Sequence, residues 1–194
     1  MAKKPKKVTV PAPSGMRLLV TSPVVVLTTV DEAGRVNAGA FGAYFRAGRS
    51  MYAAIHPGSH TYDNLKATGE AVVNLPGLDQ LESIMVFGRD YPDGVNEIER
   101  AGLTELAALK VKPPRIAEYK AHVEVVLREE MDAGSHALLV LESVAASCDE
   151  GLWDGSAFDV TAAGVVHIAR YPEPVYIAAE RYVTGTERMD GDWS

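Results

Sequence analysis

Apolar residues in this chain fall into short runs of strand length, punctuated by glycine, proline and acidic turns. Val24 to Val30 is apolar and β-branched almost throughout, which predicts a buried strand, and Asp31-Glu32-Ala33-Gly34 after it predicts a hairpin turn. Arg35 to Phe45 continues as strand, but Gly39 and Gly42 interrupt it; glycine there marks a bulge or a close approach to the backbone. Met51 to Ile55 and Ala71 to Leu75 read as the next two strands. In Ala121 to Glu129, Val123, Val125 and Leu127 alternate with His122, Glu124 and Arg128, one apolar face against one polar. Ala137 to Val144 is a longer apolar run, and Val160 to Ile168 and Tyr176 to Val183 are weaker strand patterns. Helical signals are few: Thr61 to Ala67, then Leu78 to Phe87 with Leu78, Leu81, Ile84 and Met85 at helical spacing, then a brief segment at Gly94 to Arg100. Many short strands, few helices and no regular β-α-β alternation predict a mainly β barrel with flanking helices.

A length of 194 residues with 47% hydrophobic and 23% charged positions suits one soluble domain with a sizeable core. No internal repeat or linker divides it. Residues 1–15 read as a basic, disordered tail and lead-in carrying Lys3, Lys4, Lys6 and Lys7, and 16–194 as a single domain. A net charge of −7 argues against a nucleic-acid partner. No run approaches the ~20 apolar residues that span a bilayer, and no signal peptide is visible, so the expectation is a cytoplasmic protein away from the membrane. The one cysteine, Cys148, fits a reducing compartment and has no basic neighbour to activate it.

The most informative segment is Ile55-His56-Pro57-Gly58-Ser59-His60-Thr61-Tyr62-Asp63-Asn64-Leu65, with Val73-Asn74-Leu75-Pro76 after it. A strand runs into a Pro-Gly turn, and small polar side chains then open a helix. Unpaired N–H groups at the positive end of a helix dipole receive phosphate well, and Ser59, Thr61 and Asn64 add side-chain donors. Taken alone, the same residues fit a plain helix cap better, with Ser59 or Thr61 capping and nothing bound, since most helices carry a cap. Other chemistry is missing: there is no G-x-G-x-x-G, P-loop or G-x-S-x-G. His56 and His60 have the i,i+4 spacing of zinc ligands, but Pro57-Gly58 between them disfavours the required helix, and no metal is expected. Carboxylates are frequent but unclustered, so no acid/base pair stands out.

Several blocks, in order, give the chain a family likeness. They are Pro23 to Val30 with Gly34 and Asn37, Phe41 to Phe45, Pro57 to Asn64, Val73 to Pro76, Gly94-Val95-Asn96 and Ala101 to Thr104, followed by Lys112 to Glu118, Gly134-Ser135-His136, Pro174-Val175-Tyr176 and Arg181-Tyr182. The chain resembles the flavoredoxin branch of the flavin-reductase-like proteins over about Leu18 to Val183. The resemblance implies an FMN-binding split β-barrel, mainly antiparallel with Greek-key character and a few flanking helices, paired as a homodimer. It implies that Ala40, Phe41, Gly42 and Ala43 lie along the flavin ring, that Ser59, His60, Thr61 and Asn64 hold the FMN phosphate, and that Asn74 reaches the cofactor. It implies a place for His136 near flavin or nicotinamide, as the catalytic candidate; a structural histidine at a strand start fits equally. The implied activity is an oxidoreductase of flavin reductase type, passing reducing equivalents from NAD(P)H through FMN to free flavin or a redox protein acceptor. The alternatives are a flavoredoxin-like electron carrier without NAD(P)H activity, or a split-barrel binder of haem or a deazaflavin. The chain departs from the family at Ser59, where a basic residue is common, at Val125 and at Gly88-Arg89-Asp90, where cysteines occur; thiol chemistry is therefore excluded.

Overall fold

The computed structural model describes residues 8–12, 22–170 and 175–178. Twelve strands and three α-helices follow in the order β1 (Ser22–Pro23), β2 (Val25–Val30), β3 (Val36–Phe41), β4 (Tyr44–Ala47), β5 (Ser50–Ile55), α1 (His60–Thr68), β6 (Glu70–Leu75), α2 (Leu81–Phe87), α3 (Glu97–Arg100), β7 (Glu105–Leu106), β8 (Arg115–Ile116), β9 (Ala121–Asp132), β10 (Ala137–Cys148), β11 (Val166–Arg170) and β12 (Val175–Ala178). Seven of the strands form one sheet in the order β3-β2-β6-β9-β10-β5-β4, every neighbouring pair antiparallel.

The chain itself shows how far that sheet curls. β3 and β4 are its two opposite edges, yet only Gly42 and Ala43 separate them. Three consecutive Cα steps span at most ~11 Å, so the edges meet at this corner. Ala54 N–H donates to Ala43 O at 2.9 Å, continuing the β5 ladder into the corner. A small sheet, β1-β11-β12, covers the seam. The Ser22 hydroxyl donates to Gly42 O, and a Cβ at Gly42 would stand 2.5 Å from Ile168 Cγ2. The result is a mainly antiparallel split barrel with few helices, as expected. The single strand expected over Arg35 to Phe45 is in fact β3 and β4, divided where the barrel turns its corner. What approaches the interrupting glycines is protein: Ile168 at Gly42, and Thr61 and the Phe41 ring at Gly39.

Both faces of β2 are covered, which is why all six of its residues are buried. Val25 and Leu27 point into the barrel with Met51, Ala53, Ile55, Val73, Val125, Leu139 and Leu141, and Leu65 of α1 joins that cluster. Val26 points outward into a second cluster with Ala38, Phe87, Ile98, Ile116 and Tyr119, built by the flanking helices and the segment after them. The face of β9 expected to be polar is also partly buried. Glu124 accepts N–H bonds from Leu109 and Lys110, both at 2.6 Å, and Ile116 N–H donates to Asn74 Oδ1 at 3.0 Å. These buried acceptors pin the segment between β7 and β9 onto the barrel, because an unpaired polar group there would cost its full desolvation.

β9 and β10 run 12 residues each, longer than their apolar patterns indicate. The strand expected within Val160 to Ile168 is confined to β11, after turns at 161–164. Of Tyr176 to Val183, only 176–178 are described, within β12, and most of the basic tail likewise lies outside the described residues. Among the described residues no helix is long and apolar enough to cross a membrane.

Candidate functional site

Three local structures converge at one end of the barrel: the β2–β3 hairpin, the start of α1, and the loop before α3. The hairpin is built by Asp31, whose carboxylate accepts from Ala33 N–H at 2.9 Å, Arg35 N–H at 2.8 Å and Arg35 Nε at 2.6 Å. The Arg35 backbone N–H, then its guanidinium, holds the Asp31 carboxyl below the usual range. α1 begins at the expected Pro-Gly turn. Ser59 is its N-cap, accepting from Tyr62 N–H at 3.3 Å and donating to His56 O at 2.9 Å. Gly69 closes the helix in the left-handed region, φ 73°.

Capping leaves the His60 and Thr61 N–H groups without a partner among the described residues. The capping and anion-site readings of this segment are therefore compatible: Ser59 caps, while two amides at the positive end of a nine-residue helix remain free. Around them a polar cluster is held rigidly. Asn64 Nδ2 donates to Thr29 Oγ1 at 3.1 Å, and Asn37 Nδ2 donates to Thr29 Oγ1 at 3.3 Å and Thr61 Oγ1 at 3.0 Å. Thr61 and Asn64 are only 3% and 9% exposed, so they also tie α1 to the barrel. His60 pairs with Asp93 at 2.7 Å. Glu97, at the start of α3, accepts Ala38 N–H at 3.0 Å, and burial pushes its carboxyl up.

An open cleft of about 220 Å³ lies between these pieces, lined among others by Arg35, Asn37, His60, Asp63, Asn64 and Asp93. β3 borders it as an edge strand, so one side of its backbone has no ladder partner. Ala38 turns its N–H to that side, and by the two-residue period of the ladder Ala40 does too. Free amides at a helix start, neutral donors and an unpaired strand edge suit a ligand with a phosphate at one end and a planar heterocycle at the other.

The expected site residues do not all gather here. His60 and Asn64 line the cleft; Ser59 and Thr61 stand at the same helix start. Phe41 packs against the barrel core and Ala40 against the outer clusters, with Ala43 exposed at the corner. Asn74 is 0% exposed and turned away. Its amide donates to Val26 O at 3.1 Å, Thr28 Oγ1 at 3.2 Å and Val72 O at 3.1 Å, while its oxygen accepts from Ile116 N–H and His122 Nδ1, each at 3.0 Å. His136 sits exposed at the β9–β10 turn, 2.9 Å from Ser135 Oγ and edge-on to His56 with centroids 5.8 Å apart; it does not line the cleft. His56 and His60 thus do separate things. Arg35, Asp93 and Glu97 carried no signal because they come from other elements; Thr29 and Asn37 carried one only as part of the family pattern.

Residues 16–162 match the model of the flavin reductase like domain. An uncharacterised protein of Aquifex aeolicus is 40% identical over 67 residues, 34% of each chain, and one of Archaeoglobus fulgidus 30% identical over 114 residues, 59% of this chain and 64% of that one. The chain thus spans less than two thirds of the length of either relative. Among solved structures, component B of nitrilotriacetate monooxygenase from Bacillus cereus superposes with TM-score 0.81 at 18% identity, covering 94% of this chain and 100% of that one. Flavoredoxin of Desulfovibrio vulgaris gives 0.79 at 17%, covering 98% and 100%. A split-barrel-domain protein of Shewanella frigidimarina gives 0.79 at 18%, covering 90% and 92%. At these identities the structures speak for the fold, and the domain match speaks for descent: the chain belongs to the flavin reductase like family.

Proposed function

We propose that the protein binds FMN and acts as a flavin reductase, passing reducing equivalents from NAD(P)H through the flavin to free flavin or to a protein acceptor. The observation that carries this reading is the convergence of two free helix-start amides, a fixed Asn37–Thr29–Asn64 cluster and the open edge of β3 around one cleft. Bound there, the flavin would supply the redox chemistry. The chain supplies position. His60 and Thr61 N–H groups hold the terminal phosphate, and Asn37 and Asn64 are fixed by Thr29 before any ligand arrives, so little ordering cost remains. The edge of β3 at Ala40 would lie beside the ring, whereas Gly42 and Ala43 are already taken up by Ser22, Ile168 and Ala54. No side chain is required as an acid or base, which agrees with the lack of a catalytic dyad.

We place the chain in a homodimer as well. Phe45 on the edge strand β4 is 55% exposed and stacks on Tyr52 with centroids 4.6 Å apart, an apolar face of the sort that pairing covers. Light scattering at micromolar concentration should give twice the chain mass.

The test of function is the absorbance spectrum of the purified protein, followed by fluorescence titration with FMN and riboflavin and by NADH and NADPH oxidation. The expectation is about one FMN per chain, riboflavin bound more weakly for want of the phosphate, and turnover with a nicotinamide. Failure to take up flavin would overturn the reading; flavin uptake without turnover would leave an electron carrier.

A further inference from the structure

The flavin reading needs a terminal phosphate, and a phosphate monoester carries nearly two negative charges at neutral pH. The cleft is poorly endowed with positive charge. Three carboxylates line it, Asp31, Asp63 and Asp93, against the guanidinium of Arg35 and the imidazole of His60. Helix-start amides contribute only about half a charge. A fixed cation is required, and His60 is already paired with Asp93 at 2.7 Å.

Arg35 has the required properties. Its guanidinium is always charged and presents a planar fork of donors. Its Nε is committed to Asp31 at 2.6 Å, while the side chain stays 62% exposed. Its Nη1 lies against Gly94, 3.8 Å from where a Cβ would stand, and it lines the same cleft as His60 and Asn64 of α1. Both Asp31 oxygens are occupied, one by the turn amides and one by Arg35 Nε, so that carboxylate is the resting counterion of the guanidinium and no competing site of its own. We propose that Arg35, delivered by the β2–β3 hairpin, is the cation that binds the flavin's terminal phosphate and sets the preference for a phosphorylated flavin over riboflavin. The hairpin thereby provides the positive charge that Ser59, at the helix cap, does not.

This inference rests on the flavin reading, and the experiment separates the two. FMN and riboflavin are titrated by fluorescence quenching against the full chain, Arg35→Ala, Arg35→Lys and Asp31→Asn. Arg35→Ala should lower the FMN-to-riboflavin affinity ratio by roughly five- to thirtyfold, allowing for exposure of the pair. Riboflavin affinity itself should hold, and the loss should shrink with added salt. Arg35→Lys should recover part of the ratio, since it keeps the charge and loses the fork. Asp31→Asn keeps an acceptor for the turn amides and removes the competing charge, so the ratio should rise. Wild-type protein that binds neither flavin overturns the parent reading. Wild-type preference for FMN that persists in Arg35→Ala, with an unchanged melting curve, overturns the role of Arg35 alone; so does a ratio unchanged or lowered in Asp31→Asn. Equal loss of both flavins in Arg35→Ala likewise counts against it, as damage to the hairpin.

Discussion

Replacing Asn74 separates structure from binding more sharply than any other change in this chain. Its amide and oxygen join β2, β6, β8 and β9 in a place with no access to water. Asn74→Ala would strand two buried donors, Ile116 N–H and His122 Nδ1–H, which share Oδ1 at 3.0 Å each. At ~1–3 kcal/mol for each buried group left unpaired, the loss is roughly 2–6 kcal/mol, against a typical total of ~5–15 kcal/mol. Asn74→Leu is the informative companion, being close to isosteric. If packing dominated, leucine would recover most of the loss; if hydrogen bonding dominates, it should be as harmful as alanine. Urea denaturation followed by intrinsic fluorescence gives the midpoint and slope for each variant, and FMN titration below the transition gives affinity. Expected are midpoints lowered alike in both variants, with FMN affinity within about twofold of wild type. A normal midpoint with FMN affinity reduced tenfold or more would refute this assignment and restore Asn74 to the cofactor site.

Two further outcomes test other parts of the same structure. Burial, with Arg115 nearby, pulls the His122 imidazole down to about 4 from its ordinary 6.5. The unfolded chain therefore gains a proton below pH 6.5 that the folded chain refuses until about pH 4, so stability falls across that window, by at most ~3 kcal/mol. Denaturant midpoints at pH 7 and pH 4.5 should show the slope in wild type and a shallower one in His122→Gln; equal slopes would refute the linkage. Gly42→Ala should destabilise by about 1–3 kcal/mol through the 2.5 Å clash with Ile168 Cγ2, and an Ile168→Ala background should relieve most of it. Additive effects in that double-mutant cycle would place the strain elsewhere.

Much of the fold could be read from local pattern, since β2, β5, β6 and α1 each announce themselves by apolar runs and a capped turn. Barrel closure could not. It depends on β3 and β4 lying at opposite edges of one sheet, which nothing within Arg35 to Phe45 reveals except two glycines whose role there is ambiguous. Burial of His122 and Glu124 was equally hidden, because the cover comes from the segment around Leu109 to Ile116, which has little regular structure of its own. The site was half legible for the same reason. Ser59 to Asn64 form a continuous signal, whereas Thr29, Arg35 and Asn37 enter only through tertiary pairing of the hairpin with α1.

Strand parity explains why Asn74 sits where it does. Partners across an antiparallel ladder share a face. Val73 pairs with Leu27, inside the barrel, so Asn74, paired with Val26, must face outward, as must His122 opposite it. The alternation Val73-Asn74-Leu75 already contained this result, because the two apolar neighbours claim the interior. Adjacent threonines in β2 divide the same way. Thr28 faces outward and receives the Asn74 amide, while Thr29 faces inward and receives the amides of Asn37 and Asn64. One strand thus carries two polar networks a single residue apart, one holding the outer segment to the barrel and the other holding the cleft in shape. Asn74 does not share a face with Thr29, so it takes no part in the network that shapes the cleft.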